Sequence, residues 1–225
     1  MKYNDLNKIV AGIPKTPGIL WEKHYLRTSV LIPLVKINDE LHLLFEVRSK
    51  DIRQGSEICF PGGKYEAKQD NNYRDTAIRE TQEELGISPE SIKILGQFNT
   101  LFNHMGILIY TYIGKLNINQ LNDLNIDKKE VGEVFTIPIQ HFIDNPPKEY
   151  KVRLEAKPAI IDQDGNHVTL LPVRELGLPE RYSTPWGSNN HKVIVYKTPN
   201  GMIWGITAKI VCEFIETIIQ ADSKI

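Results

Sequence analysis

The sequence predicts an α/β (α+β) fold in which a mixed β-sheet is covered by helices. Three observations predict it. Apolar runs of strand length alternate with stretches of helical period, in the order β…α…β…α. Turn-forming pairs such as Asn38-Asp39, Pro61-Gly62-Gly63 and Asn145-Pro146-Pro147 separate these runs. The chain has 225 residues, 41% hydrophobic and 24% charged, enough to bury a core without disulfide or metal staples.

Taken in order, residues 1–20 read as a short amphipathic helix carrying Leu6, Ile9, Val10 and Ile13, ended by Pro14 and Pro17. Ser29 to Val35 is a buried strand, and Leu41 to Val47 is its hairpin partner across Asn38-Asp39. Glu57 to Phe60 is a short strand. Residues 72–85 are helical: Ala77, Ile78, Thr81 and Leu85 share a stripe, and Gly86 sits where a helix C-terminal glycine belongs. Asp70, Asn71 and Asn72 are alternative N-caps. Strands follow at Ile92–Phe98, Gly106–Tyr112 and Val134–Ile137. After the loop-rich 141–190, Val193–Tyr196 is a strand. A last helix runs from about Trp204 to Ile219, with Ile206, Ile210, Phe214 and Ile218 spaced for burial. The expected organisation is an N-terminal helical extension over 1–24 and one domain over 25–225 with a loop-rich insertion at 141–190.

Composition excludes several classes. Net charge is −1, from 27 Lys+Arg and 28 Asp+Glu, which argues against a broad nucleic-acid surface. Cys59 and Cys212 lie far apart, and a reduced, cytoplasmic chain is the simplest expectation. The N-terminus does not read as a signal peptide, and no apolar run approaches the ~18 residues of a membrane span. Ser223-Lys224-Ile225 differs by one residue from the Ser-Lys-Leu peroxisomal address. The final Ile is not the usual residue, and the match reads as coincidence.

The informative stretch is Arg79-Glu80-Thr81-Gln82-Glu83-Glu84-Leu85-Gly86-Ile87. On a helix, Glu80, Glu83 and Glu84 stand at i, i+3 and i+4, so their carboxylates share a face. Like charges at this spacing cost about 0.2–0.5 kcal/mol per pair. A solvated acidic face is the plain alternative; a compensating cation is the sharper one. Mg²⁺ (or Mn²⁺) takes oxygen ligands of this kind. Arg79, four residues before Glu83, would brace that carboxylate. Phe60-Pro61-Gly62-Gly63 feeds a loop into the helix, and glycine lets backbone approach a ligand closely, so the Gly63 carbonyl is a further candidate ligand.

Together these residues resemble the Nudix box: Gly, five residues, Glu, seven residues, then Arg-Glu-U-x-Glu-Glu-x-Gly-U, with U aliphatic. The second half matches from Arg79 to Ile87, with Thr81 in place of the aliphatic residue. Gly63 stands 16 positions before Arg79, two more than the pattern has. The first glutamate of the box therefore has no clear counterpart; Gln69, Asp70 and Asn71 lie near its place. A second motif, with Arg48-Ser49, Arg53 and Phe60-Pro61-Gly62-Gly63, is similar to the coenzyme A diphosphatase branch. Ser56 sits near the glycine that branch expects.

The resemblance implies a Nudix-type mixed sheet sandwiched between helices, and a divalent-metal hydrolase of a small nucleotide-type substrate. Glu80, Glu83, Glu84 and Gly63 would hold Mg²⁺ or Mn²⁺, with Arg79 behind them. Glu80, Glu83 and Glu130 are the catalytic candidates; Glu133 is a further later-loop carboxylate. Arg48, Arg53, Lys64 and His104 are the substrate-binding candidates. Coenzyme A or acyl-coenzyme A is the expected substrate, cleaved to 3′,5′-ADP and 4′-phosphopantetheine. ADP-ribose, a dinucleoside polyphosphate, an RNA cap and a non-catalytic nucleotide-binding regulator stay open. No nucleic-acid or membrane partner is expected, and a homodimer is compatible with the reading.

Overall fold

The computed structural model describes residues 6–118 and 120–223. Their contacts group into two compact units, one ending at Ile139 and one beginning at Gln140, where the sequence reading had one domain over 25–225. The second unit has its own sheet and its own buried residues.

The first unit holds a seven-stranded mixed sheet. Its strands are β1 (Leu26–Ile37), β2 (Glu40–Arg48), β3 (Ile58–Cys59), β4 (Gly62–Lys64), β5 (Ile92–Asn103), β6 (Ile107–Leu116) and β7 (Val131–Pro138). The main order is β3-β2-β1-β6-β5, with β4 on β1 and β7 on β2. β1 and β6 run parallel; the other pairs are antiparallel. The β1–β2 hairpin turns through Asn38 and Asp39 with φ of 48° and 67°, the left-handed pair a two-residue hairpin needs.

Helix α1 spans Leu6–Ala11, and none of its residues is buried. It ends at Ala11, short of the helix expected over 1–20, and no core packing holds the chain helical beyond that point. Residues 1–5 of that expectation lie outside the described residues. The chain is then anchored at a 3-10 turn over Glu22–His24. Tyr73 and Tyr110 stack with ring centroids 3.6 Å apart, and both hydroxyls donate to Glu22 Oε1, at 2.5 and 2.8 Å.

Helix α2 spans Tyr73–Leu85 and packs on β1, β4 and β6. Of the three candidate caps, Asn72 is the one used: its side chain accepts from the Asp75 N–H. Ala77, Thr81 and Leu85 are fully buried, and Ala77 and Leu85 join Leu31, Val35, Leu44 and Leu108 in one core. Thr81, a polar residue at an aliphatic position of the box, turns its hydroxyl back to the Ala77 carbonyl at 2.7 Å and so buries no unpaired group. The opposite face of the sheet carries Phe45, stacked on Phe60 and Phe135 at 4.8 and 5.8 Å.

The second unit takes in most of α3 (Ile139–Asp144) and then β8 (Lys148–Ala156), β9 (Ala159–Ile161), β10 (His167–Thr169), β11 (Trp186–Thr198), β12 (Gly201–Trp204) and α4 (Gly205–Asp222). β12, β11 and β8 form an antiparallel sheet, and β9 pairs with β10. The stretch read as loop-rich, 141–190, thus contains strands. β8 does alternate, with Tyr150, Val152, Leu154 and Ala156 between Glu149, Lys151, Arg153 and Glu155, a strand signal that the loop-rich reading passed over, although nearly all of its residues are exposed. α4 packs on β11 and β12. Its buried stripe is Thr207, Ala208, Ile210, Val211, Phe214 and Ile215, with Ile206 and Ile218 at the margin. No described helix is long and apolar enough to cross a membrane. In the C-terminal tripeptide, Lys224 and Ile225 lie outside the described residues.

Gly86 ends α2 in the left-handed region, φ 63°, where an added Cβ would overlap the Asn125 carbonyl. Gly86→Ala is expected to lower unfolding free energy by about 2 kcal/mol or more, from the left-handed penalty plus the overlap. Urea denaturation of the variant checks it.

Candidate active site

The site is assembled where the end of β2, the β3–β4 turn and one face of α2 meet. β4 lies against β1 with Ser29 opposite Gly63 and Val30 opposite Gly62. This register lays the Gly62-Gly63 backbone alongside α2. An added Cβ on Gly63 would overlap the Glu80 carboxylate, so only glycine leaves that carboxylate its place. The Gly62 N–H donates to Glu84 Oε2 at 2.8 Å.

Arg79 organises the helix face. Its Nε and Nη2 donate to the two oxygens of Asp70 at 2.9 and 3.1 Å, a bidentate pair. The same guanidinium reaches Glu83 Oε2 at 3.1 Å, Glu80 Oε1 at 2.9 Å and the Lys64 carbonyl at 3.2 Å. Asp70 is buried and also accepts from the Glu66 N–H and the Thr76 hydroxyl, both at 2.9 Å. The Arg79 guanidinium holds the Asp70 carboxyl below its ordinary value. Of Gln69, Asp70 and Asn71, the residues near the place of the box's first glutamate, Asp70 is the one that meets Arg79.

The three helix glutamates differ in setting. Glu83 is exposed, Glu80 is half-buried, and Glu84 is 3% exposed on the packing side of the helix. Burial pushes the Glu84 carboxyl well up, and the neighbouring Glu46 carboxylate pushes it further. Burial likewise raises Glu80. Glu46, on β2, was not singled out by the sequence reading. It is 1% exposed, and burial pushes its carboxyl up to about 7. The available signal was a lone charge inside the apolar run Leu43-Leu44-Phe45-Glu46-Val47.

Glu130 stands immediately before β7 and is exposed; its carbonyl accepts from the Ser49 N–H at 2.7 Å. Its charge acts on Glu46, Glu80 and Glu84. Glu80 and Glu84 thus lie at the Gly62-Gly63 turn, and the charges of Glu46 and Glu130 act on Glu84 there. Glu133 lies on β7, exposed, opposite Val47.

The remaining candidates lie in three places. Arg48, the last residue of β2, donates from Nε to the Arg53 backbone carbonyl at 3.3 Å, which ties the loop that follows back to the strand end. In that loop Ser56 has φ 65°, a glycine-like conformation at the position where the coenzyme A branch expects glycine. Lys64 is exposed on β4, and His104 is exposed in the turn between β5 and β6.

Among the described residues no three His, Cys, Asp or Glu side chains already converge on a metal position. Glu80 and Glu83 are turned toward Arg79 instead. The donor set nonetheless fits a hard divalent cation: it is all oxygen, partly desolvated, and faces a backbone stripped of side chains. Cys59, the nearby thiol, donates to Glu46 Oε1 and is held protonated by burial.

A family model described as the NUDIX domain matches residues 26–159. The chain is 36% identical over 116 residues to the Mus musculus protein named peroxisomal coenzyme A diphosphatase NUDT7, covering 51% of this chain and 48% of that one. It is 30% identical over 124 residues to the Mus musculus mitochondrial coenzyme A diphosphatase NUDT8, covering 54% and 59%. A Photorhabdus laumondii protein named Nudix hydrolase NudL is 24% identical over 214 residues, 95% of each chain. The matched segment spans about half the length of the first of these relatives.

The raised carboxyls carry a pH signature. The folded chain keeps the Glu46 and Glu84 protons at a pH where the unfolded chain has released them, so stability falls as pH climbs. Without divalent metal, the melting temperature is expected to decline from about pH 4.5 through about 7, and Glu46→Gln to flatten the decline. Thermal melts across that window in chelator check it. Asp70 has the opposite sign, and its contribution is lost only as pH falls below its ordinary range near 3.8. The match over 26–159, with Gly62-Gly63, Arg79 and the helix glutamates inside it, places this chain in the Nudix family.

Proposed function

We propose that this chain hydrolyses the diphosphate bond of a small nucleotide-type substrate, coenzyme A or an acyl-coenzyme A, giving 3′,5′-ADP and 4′-phosphopantetheine. One observation carries the reading: carboxylates from α2 stand at a glycine turn with an arginine behind them, and the charges of Glu46 and Glu130 act on Glu84 there. Relatives named coenzyme A diphosphatases favour this substrate among the family's alternatives.

Glu80, Glu83 and Glu84, with the Gly63 carbonyl, would hold Mg²⁺ or Mn²⁺. The bound cation supplies charge neutralisation for the diphosphate oxygens. Water attacks one phosphorus, the bridging P–O bond breaks, and a carboxylate takes the proton. Glu130 suits that task, being exposed at the edge of the cluster and close enough to act on its charges. Arg79 keeps Glu80 and Glu83 oriented on the helix face. Arg48 at the end of β2 and Arg53 in the loop after it suit the 3′-phosphate of coenzyme A; Lys64 and His104 would be further phosphate contacts.

Two experiments test this. Glu83→Gln is expected to fold normally and to lose at least about 100-fold in turnover of coenzyme A with Mg²⁺ or Mn²⁺, the scale of a lost electrostatic group. Full activity in that variant would remove the metal assignment. Arg48→Ala and Arg53→Ala are expected to raise KM for coenzyme A about tenfold, the loss of one charged hydrogen bond, with little change for its 3′-dephospho form. Product identification on a panel with ADP-ribose and a dinucleoside polyphosphate decides the substrate. Tight nucleotide binding without metal-dependent hydrolysis would make the chain a regulator instead.

A further inference from the structure

The carboxylate cluster contains one group that the box does not supply. Glu46 lies in β2, two residues from Leu44, so it shares the sheet face that meets α2. Its backbone is fixed on both sides, opposite Cys59 of β3 and opposite Val134 of β7. A strand paired on both edges cannot slip, so the side chain is committed to the interior. Oε1 accepts from the Cys59 thiol at 3.2 Å. Oε2 is fully buried and has no hydrogen-bond partner among the described residues. The charges of Arg48, Glu130 and Glu80 act on it, and its own charge acts on Glu84. Arg48 acts on it more strongly than Glu130 or Glu80 does, yet forms no ion pair with it among the described residues.

A buried carboxylate oxygen without a donor, facing other carboxylates, is costly. A purely structural residue at this position would be apolar, as Leu43, Leu44, Phe45 and Val47 are. A cation is the partner that would satisfy Oε2 and offset the mutual repulsion at once.

We propose that Glu46 Oε2 is an additional oxygen ligand, directly or through one water, for a divalent cation shared with Glu84, extending the box's metal site onto β2. The inference rests on the metal-site reading above. It adds a fixed, strand-borne ligand to helix glutamates that can turn between Arg79 and a cation.

The test is calorimetric titration of the full chain with MnCl₂, beside thermal melts with and without Mn²⁺. The variants are Glu46→Gln and Glu84→Gln. Glu46→Gln is expected to weaken Mn²⁺ binding at least tenfold, or to remove one bound Mn²⁺, and to raise the melting temperature of the metal-free protein. A residue kept only for packing would lower that temperature and leave the isotherm unchanged. An unchanged isotherm in folded Glu46→Gln, with binding lost in Glu84→Gln, overturns the role of Glu46 and leaves the box assignment standing. Absence of Mn²⁺ binding by the unmodified chain overturns both. Should Glu46→Gln fail to fold, Glu46→Thr, a smaller strand former, carries the same comparison.

Discussion

The guanidinium of Arg79 is the interaction on which the site depends. It binds Asp70, Glu80, Glu83 and the Lys64 carbonyl together. Through Asp70 it ties the loop before α2 to the helix; through Lys64 it ties β4 to the same point. The planar fork of arginine suits this, because it offers five donors in fixed directions. Two extra residues between Gly63 and Arg79 would otherwise leave the loop loosely held. Asp70 absorbs them, with its own oxygens further satisfied by Glu66 and Thr76.

A second constraint works against the first. The helix stripe that builds the core passes through Thr81 and Leu85, and Glu84 lies beside them. Packing α2 on the sheet therefore drags a carboxylate out of water. The strands bring Glu46 to the same place. One backbone N–H, from Gly62, answers part of the charge on Glu84. The rest is unanswered within the protein, and the raised carboxyls express that imbalance.

Much of this was legible in the sequence. The 3.6-residue stripe, Asn72 among the candidate caps and the C-terminal Gly86 delimit α2 to within a residue. The apolar runs at Ser29–Val35 and Leu41–Val47 mark β1 and β2, and the Asn38-Asp39 turn joins them. The strands of 141–190 were less legible. β8 carries the period-two pattern of a strand in Tyr150, Val152, Leu154 and Ala156, but the turn-forming residues on either side of it favour a loop reading. Beyond that stretch, β12 is four residues long and runs straight into α4, and the helix expected from about Trp204 takes in only its last residue.

The sequence by itself determined which carboxylates share the helix face and which arginine stands behind them. Those are local facts, set by spacing along one helix and by the glycine pair that precedes it. Only the tertiary structure decided which of the box glutamates is buried, which loop acid meets Arg79, and that Glu46 joins the cluster. Each of these depends on strand pairing across the sheet: Glu46 with Cys59 and Val134, Gly63 with Ser29. Charges become a site only when low-dielectric surroundings force them to interact, and burial is a property of the whole fold rather than of any segment.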